Sequence, residues 1–150
     1  MDIINAAKML LKNNFDTKDL GEVNVIFGMK ISRTSNDIFV DQSHCKEKIL
    51  KKYKYFDCKP TSIPFDSNVH LFPTKDENDI YNQKECASII GSLRYATDCT
   101  RPYIAYAVGV LARFTSKPNF EHWNAMTQLM RYLKRTAHYG LLYQRLGMAI

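Results

Sequence analysis

The acids of this chain are not placed where metal-dependent polymerisation or nucleic-acid cleavage would need them. Two-metal chemistry requires converging carboxylates that hold ions about 3.5–4 Å apart, and no pair of acids sits on a strand–turn–strand pattern. Asp76-Glu77-Asn78-Asp79 forms an acidic turn inside a proline-bearing stretch, the composition of a solubilising loop. His44, His70, His122 and His138 fall on separate segments with no H-E-x-x-H spacing, and Ser43, Ser62 and Ser67 lack the glycines of a nucleophile elbow. No glycine-rich phosphate loop is present. His122, beside Trp123 at a helix start, suits capping or packing. What remains is recognition. At about 100° per residue, Lys84, Ala87, Ser88, Gly91, Arg94, Tyr95 and Asp98 share one side of a helix. A mid-helix glycine costs about 0.8–1 kcal/mol relative to alanine. Gly91 therefore either admits a closely packed neighbouring helix or leaves backbone bare, beside a cation and a ring, for a broad anionic partner.

The 150 residues suffice for one compact domain or two small lobes, and a hydrophobic share of 45% permits a core. A net charge of +6 favours an anionic partner without specifying it. No apolar run approaches the roughly 20 residues of a membrane span, and Met1-Asp2-Ile3 does not open a secretory signal. An intracellular protein with no membrane partner is expected. Cys45, Cys58, Cys86 and Cys99 show neither C-x-x-C pairing nor zinc spacing, so reduced thiols and no metal are expected.

The elements that must position these residues follow from periodicity. Asp2 can cap a helix with Ile3, Ala7, Leu10 and Leu11 on one face, ending near Asn13-Asn14. Val23 to Ile31 and Ile38-Phe39-Val40, joined by Ser35-Asn36-Asp37, predict a β-hairpin, with Gly28 marking a bulge or close backbone approach. A helix from Ser43 turns Cys45, Ile49, Tyr53 and Phe56 inward and Lys46, Lys48, Lys51, Lys52 and Lys54 outward. Ser43 to Lys59 holds six lysines against two acids, a net of +4 that is either a solvated face or a phosphate-tracking one. Lys59 to Asp79, with Pro60, Pro64 and Pro73, is a surface strap or a linker. Three helices follow. The first, near Asn82 to Asp98, buries Cys86, Ile89, Ile90, Leu93, Ala96 and Thr97. The second begins at Pro102 and carries Ile104, Val108 and Leu111. The third is capped by Asn119 and buries Trp123, Met126, Met130 and Leu133. Arg131, Lys134, Arg135 and Arg145 form a basic flank, Gly140 stops the helix, Leu141-Leu142-Tyr143 is a short strand, and Leu146 to Ile150 is a tail.

Many short motifs in order resemble copia-type retrotransposon reverse transcriptases. Phe15-Asp16-Thr17-Lys18-Asp19-Leu20-Gly21-Glu22 is similar to the family's F-x-M-K-D-L-G-E. Phe27-Gly28-Met29-Lys30-Ile31 and Ile38-Phe39-Val40-Asp41-Gln42 resemble the hairpin after the catalytic strands. Cys58-Lys59-Pro60, Ile90-Gly91-Ser92-Leu93-x-Tyr95, Thr100-Arg101-Pro102, Ile104-x-Tyr106-Ala107-Val108, Arg113-Phe114, Pro118, His122-Trp123-x-Ala125, Arg131-Tyr132-Leu133-Lys134-x-Thr136 and Tyr139-Gly140-Leu141-x-Tyr143 follow in the family's order. The resemblance spans about Ile3 to Tyr143. It implies an α+β, mostly helical fold. Residues 1–42 would hold an N-terminal helix and β-hairpin from the end of a palm. Residues 43–150 would form a thumb-like bundle of three to four helices and the start of a connection region, with 59–80 as a long linker.

The same resemblance implies that the family's paired aspartates lie upstream and its ribonuclease H region downstream. The expectation is a non-catalytic piece of an RNA-directed DNA polymerase, cut at both ends. The family uses magnesium, whose ligands this sequence does not carry, so no cofactor is expected. Phe27, Gly28 and Met29 would match the segment that holds the primer end. Gly91 and Tyr95, with Arg94 beside them and Lys84 on the same face, would match thumb positions in the minor groove of the template–primer duplex. The implied partner is an RNA–DNA or DNA duplex, bound weakly and without sequence preference, together with the rest of the polyprotein. Two positions depart from the pattern. Tyr103 stands where the family has aspartate, which weakens a helix start by roughly 0.3–1 kcal/mol, and Arg135 replaces a glycine before Thr136. The competing expectation is an inert interaction remnant with no nucleic-acid binding. Its exposed Ile3, Leu10, Val25 and Phe27 would promote association.

Overall fold

A computed structural model describes residues 3–144 of the chain. The expected cap at Asp2, the cation Arg145 and the tail Leu146 to Ile150 lie outside the described residues. The fold is α+β: five α-helices and a four-stranded antiparallel sheet among the described residues. Helix α1 (Ile3–Asn14) comes first, then strands β1 (Val25–Ile26), β2 (Met29–Arg33) and β3 (Asp37–Asp41). Helices α2 (Ser43–Lys52), α3 (Gln83–Thr100), α4 (Ala105–Ala112) and α5 (Phe120–Arg135) follow, and β4 (Leu141–Gln144) ends the order.

The helical core forms where apolar periodicity places it. Cys86, Ile89, Ile90, Leu93, Ala96 and Thr97 are all buried on α3, and they meet Ile49 and Leu50 of α2, Val108 and Leu111 of α4, and Met126, Met130 and Leu133 of α5. Trp123 packs at the edge of this cluster, half-buried. Phe56, expected inward, is exposed: α2 ends at Lys52 and the chain turns through Lys54 at φ +61°, so the stripe does not continue. Pro102 opens a short 3-10 turn (Pro102–Ile104) ahead of α4, and Phe114 falls beyond that helix. Asn119 and His122 form the reciprocal cap of α5. The Asn119 side chain accepts from the His122 N–H at 3.1 Å, and His122 Nδ1 accepts from the Asn119 N–H at 3.0 Å.

Residues 59–79 run as an extended strap over α5. Arg131 Nε donates to the Lys59 carbonyl at 2.6 Å, Lys134 Nζ to the Cys58 carbonyl at 2.7 Å, and Thr74 Oγ1 to the Lys117 carbonyl at 2.7 Å. Two cations of the basic flank thus satisfy backbone carbonyls. Phe65 and Leu71 fold from the strap onto the core.

Three expectations about the sheet are corrected. Val23 to Ile31 is not one strand, and Gly28 is not a bulge. Phe27 and Gly28 both have positive φ (+49° and +69°), and Ile26 faces Met29 across a two-residue turn. That backbone is the mirror-image turn that joins twisted strands, and glycine fits its second position. Gly140 does not stop α5, which ends at Arg135 without a glycine. It lies against β3 instead, where an added Cβ would stand 2.5 Å from the Val40 carbonyl oxygen. This close approach lets β4 pair with β3, so the last described strand joins the sheet built from residues 25–41.

The face of that sheet bearing Ile26, Met29, Ile31, Ile38, Val40, Leu141 and Tyr143 is apolar apart from Arg33, yet none of these residues is fully buried. All of α1 is exposed, its apolar face included, and Ile3, Leu10, Val25 and Phe27 are among the exposed hydrophobics.

Lys46 is also corrected. Placed outward by its charge, it is fully buried. Its ammonium meets the Asp41 carboxylate at 3.3 Å and donates to the Tyr139 carbonyl at 2.7 Å. Buried Arg101 lies in the same node and donates to the carbonyls of Thr136, Ala137 (3.3 Å) and Tyr139 (2.8 Å) and to the Tyr103 hydroxyl. Thr136 is the C-cap of α5, and Ala137 and Tyr139 follow it in the turn toward β4. Arg101, at the end of α3, therefore fixes the chain where it leaves α5. Tyr103 serves as acceptor and stacking surface, its ring centroid 5.6 Å from the guanidinium.

Candidate nucleic-acid interface

Lys84, Gly91, Arg94 and Tyr95 are all exposed on the side of α3 opposite its buried stripe. From Lys84 to Tyr95 the face runs about 16 Å along the helix axis. A Cβ placed on Gly91 would meet nothing within 4 Å. Of the two roles open for Gly91, close packing of a neighbouring helix has no counterpart among the described residues. The backbone there is bare.

The structure links this face to the other predicted segment. The Tyr95 hydroxyl donates to the Phe27 carbonyl oxygen, so the β1–β2 turn and α3 meet across 68 positions of sequence. Partial desolvation, with Cys99 beside it, raises the Tyr95 phenol above its ordinary value, so it stays a donor at neutral pH. Phe27 is 73% exposed and projects from the strained turn. Gly28 sits beside it in that turn, while Met29 begins β2 half-buried and does not share the exposed face.

Sequence reasoning missed a flank from α2. Tyr53 is bound to Ser88 at 2.7 Å and to Ser92 at 3.1 Å, one turn apart on α3. Lys52 Nζ lies 4.9 Å from the Tyr53 ring centroid and brings a third cation to the edge of the α3 face. Alternating small and polar residues at 88 and 92 were the available signal. Their partner, 35 positions away, was not. Lys51 is engaged elsewhere, near Glu47 at 3.9 Å and over the Phe56 ring at 4.9 Å.

The geometry offers cations, a ring and open backbone, which suits binding to a ribose–phosphate surface. Among the described residues no group of three or more His, Cys, Asp or Glu side chains comes together to hold a metal. His122 is held neutral by burial and spent on capping. No helix among the described residues is long and apolar enough to cross a membrane.

No protein-family model matches the chain, and no solved structure gives a significant match. Curated relatives do. The chain is 39% identical over 133 residues to the retrovirus-related Pol polyprotein from transposon TNT 1-94 of Nicotiana tabacum, covering 84% of this chain and 10% of that one. It is 32% identical over 143 residues to an uncharacterized mitochondrial protein of Arabidopsis thaliana, covering 93% of this chain and 57% of that one. A Pol polyprotein from the Arabidopsis transposon RE2 is 25% identical over 135 residues, covering 90% of this chain and 9% of the polyprotein. The chain thus spans about a tenth of the polyproteins it matches and a little over half of the mitochondrial protein. It is homologous to a short region of copia-type retrotransposon Pol polyproteins.

Proposed function

We propose that the chain corresponds to the reverse-transcriptase part of Pol, from the end of the palm through the thumb to the start of the connection region. In this reading it is non-catalytic and binds template–primer duplex without reading sequence. The observation that carries the reading is the bond from Tyr95 to the Phe27 carbonyl, which gathers two separated motifs onto one exposed, cation-bearing surface. Lys84, Arg94 and Lys52 meet phosphates, the Tyr95 ring lies against sugar edges, and bare Gly91 admits the backbone of the duplex. Such contacts are sequence-independent. They act inside the cell, where the polyprotein's nucleic acid is.

Substitutions on the α3 face test this. Arg94→Ala and Lys84→Ala are each expected to weaken binding of a fluorescent RNA–DNA hybrid by about 3–10-fold at low salt, since each removes one phosphate contact. Gly91→Ala is expected to stabilise the free protein by about 0.5–1 kcal/mol, because the site is open and helical. Gly91→Leu, equally tolerated by the fold, is expected to block the hybrid. Unchanged affinity in Arg94→Ala, Lys84→Ala and Gly91→Leu would refute the interface.

The second reading, an interaction remnant, draws on the bare apolar faces of α1 and the sheet. Light scattering separates the two. A monomer that binds hybrid supports the first, and assemblies that ignore hybrid support the second.

A further inference from the structure

We infer that Cys45 and Cys99 form a dithiol pair across the α2–α3 seam, which a low-molecular-weight disulfide such as oxidised glutathione converts to an intramolecular disulfide. Three hydrogen bonds set the register of the two helices. At one end Thr100 Oγ1 donates to Gln42 Oε1 at 2.7 Å, and at the other Tyr53 meets Ser88 and Ser92. The helices are therefore antiparallel, with residue 42 beside 100 and residue 53 beside 88–92. Cys45 lies two turns before Tyr53 on the stripe Cys45, Ile49, Tyr53. Cys99 lies two turns after Ser92 on the stripe that carries both serines. The same seam that joins Tyr53 to the serines thus turns Cys45 toward Cys99.

Both thiols are free and half-buried, and Cys45 packs against the core. Helix axes 8–10 Å apart with Cα radii of 2.3 Å bring facing Cα atoms to about 3.5–5.5 Å, which overlaps the range a disulfide spans. Burial, and then the charge of Cys99, raises the Cys45 thiol. Cys58 lies beyond the end of α2, and Cys86 lies at the other end of α3, 13 residues or about 20 Å along the helix from Cys99.

The exchange balances without further reagents. One thiolate attacks a sulfur of oxidised glutathione and releases one glutathione. The second thiolate then attacks the mixed disulfide and releases the other. Two protein thiols are oxidised, one disulfide is reduced, and two glutathione thiols carry away the two protons. Cys99 lies beside Tyr95 of the candidate interface, but formation of the pair does not rest on the duplex-binding reading.

The test equilibrates the full chain with glutathione redox buffers, alkylates remaining thiols and maps peptides by mass spectrometry. Expected is a species lighter by two hydrogens, with the Cys45 and Cys99 peptides joined and the Cys58 and Cys86 peptides alkylated. Cys45→Ser and Cys99→Ser are expected to lose the link and leave a glutathione adduct on the remaining partner. Circular dichroism confirms that they fold. In denaturing urea the preference for this pair should vanish. Glutathione adducts on both sulfurs of the native chain without a link would overturn the assignment. So would a Cys45–Cys99 yield no higher than in urea.

Discussion

Replacing Arg101 with methionine is expected to cost about 2–4 kcal/mol of folding stability, read from the urea midpoint. The guanidinium is fully buried and holds the carbonyls of Thr136, Ala137 and Tyr139, where α5 ends and the chain turns toward β4. Methionine fills similar space yet donates nothing. The Tyr139 carbonyl keeps its bond from Lys46, and the Thr136 carbonyl its bond from the Tyr139 N–H. The cost is therefore three lost charged hydrogen bonds and one unpaired carbonyl, that of Ala137, at about 1–3 kcal/mol, partly offset because a buried cation no longer has to be desolvated. Among the described residues no carboxylate forms an ion pair with Arg101. Its charge is met by carbonyl dipoles, the Tyr103 hydroxyl and the rings of Tyr103 and Tyr139, with centroids at 5.6 and 5.9 Å. The damage should be directional. Hydrogen exchange at Leu141 to Gln144 should rise first, because β4 is held to β3 only as long as the preceding turn is fixed. Unaltered stability would show that these bonds are replaced by water at no cost.

The neighbouring Lys46 gives the second large effect, a pH dependence. Burial, and after it the Arg101 charge, pushes the Lys46 ammonium down to about 8 from its usual 10.5, although Asp41 partly restores it. The folded state therefore releases this proton near pH 8, while the unfolded chain holds it until about 10.5. Between those values the unfolded state binds more protons, so stability rises with pH through this window, by an amount on the order of 3 kcal/mol. Burial raises Cys45, Cys86, Tyr55 and Tyr132, which work in the opposite sense at high pH. The clean measurement is the difference between the native chain and Lys46→Met across about pH 7.5 to 10. The native chain should gain on the variant as pH rises. Parallel curves would mean that Lys46 titrates as a solvated lysine.

These two residues also mark the limit of what could be read from sequence. Local periodicity located the buried stripe of α3, the Asn119–His122 cap and the exposed face with Gly91, because each depends on neighbours within two helical turns. Lys46 and Arg101 could not be read this way. A charged side chain on a helix is assigned to solvent unless its partners are known, and Asp41, Tyr139 and Thr136 come from distant parts of the chain. Gly28 failed for a different reason. A two-residue turn at Phe27-Gly28 places a bulky aromatic at positive φ, which local preference argues against, and the bond from Tyr95 to the Phe27 carbonyl helps hold it there. Gly140 was legible as a special position but not as a contact with β3, since strand pairing across a hundred residues leaves no periodic trace. Within the candidate interface, types and face were visible in the sequence. The meeting of α3 with the β1–β2 turn and the arrival of Lys52 were not.

The central claim is that this surface binds duplex through phosphate contacts, and a salt titration of RNA–DNA hybrid binding by fluorescence anisotropy tests it most directly. Three cations, Lys52, Lys84 and Arg94, should give a plot of log affinity against log salt with a slope of about −2 to −3, shallower by about one in Arg94→Ala. Hybrid and duplex of unrelated sequence should bind alike. A folded protein that shows no binding at low salt, or binding whose strength does not change with salt, would contradict the claim.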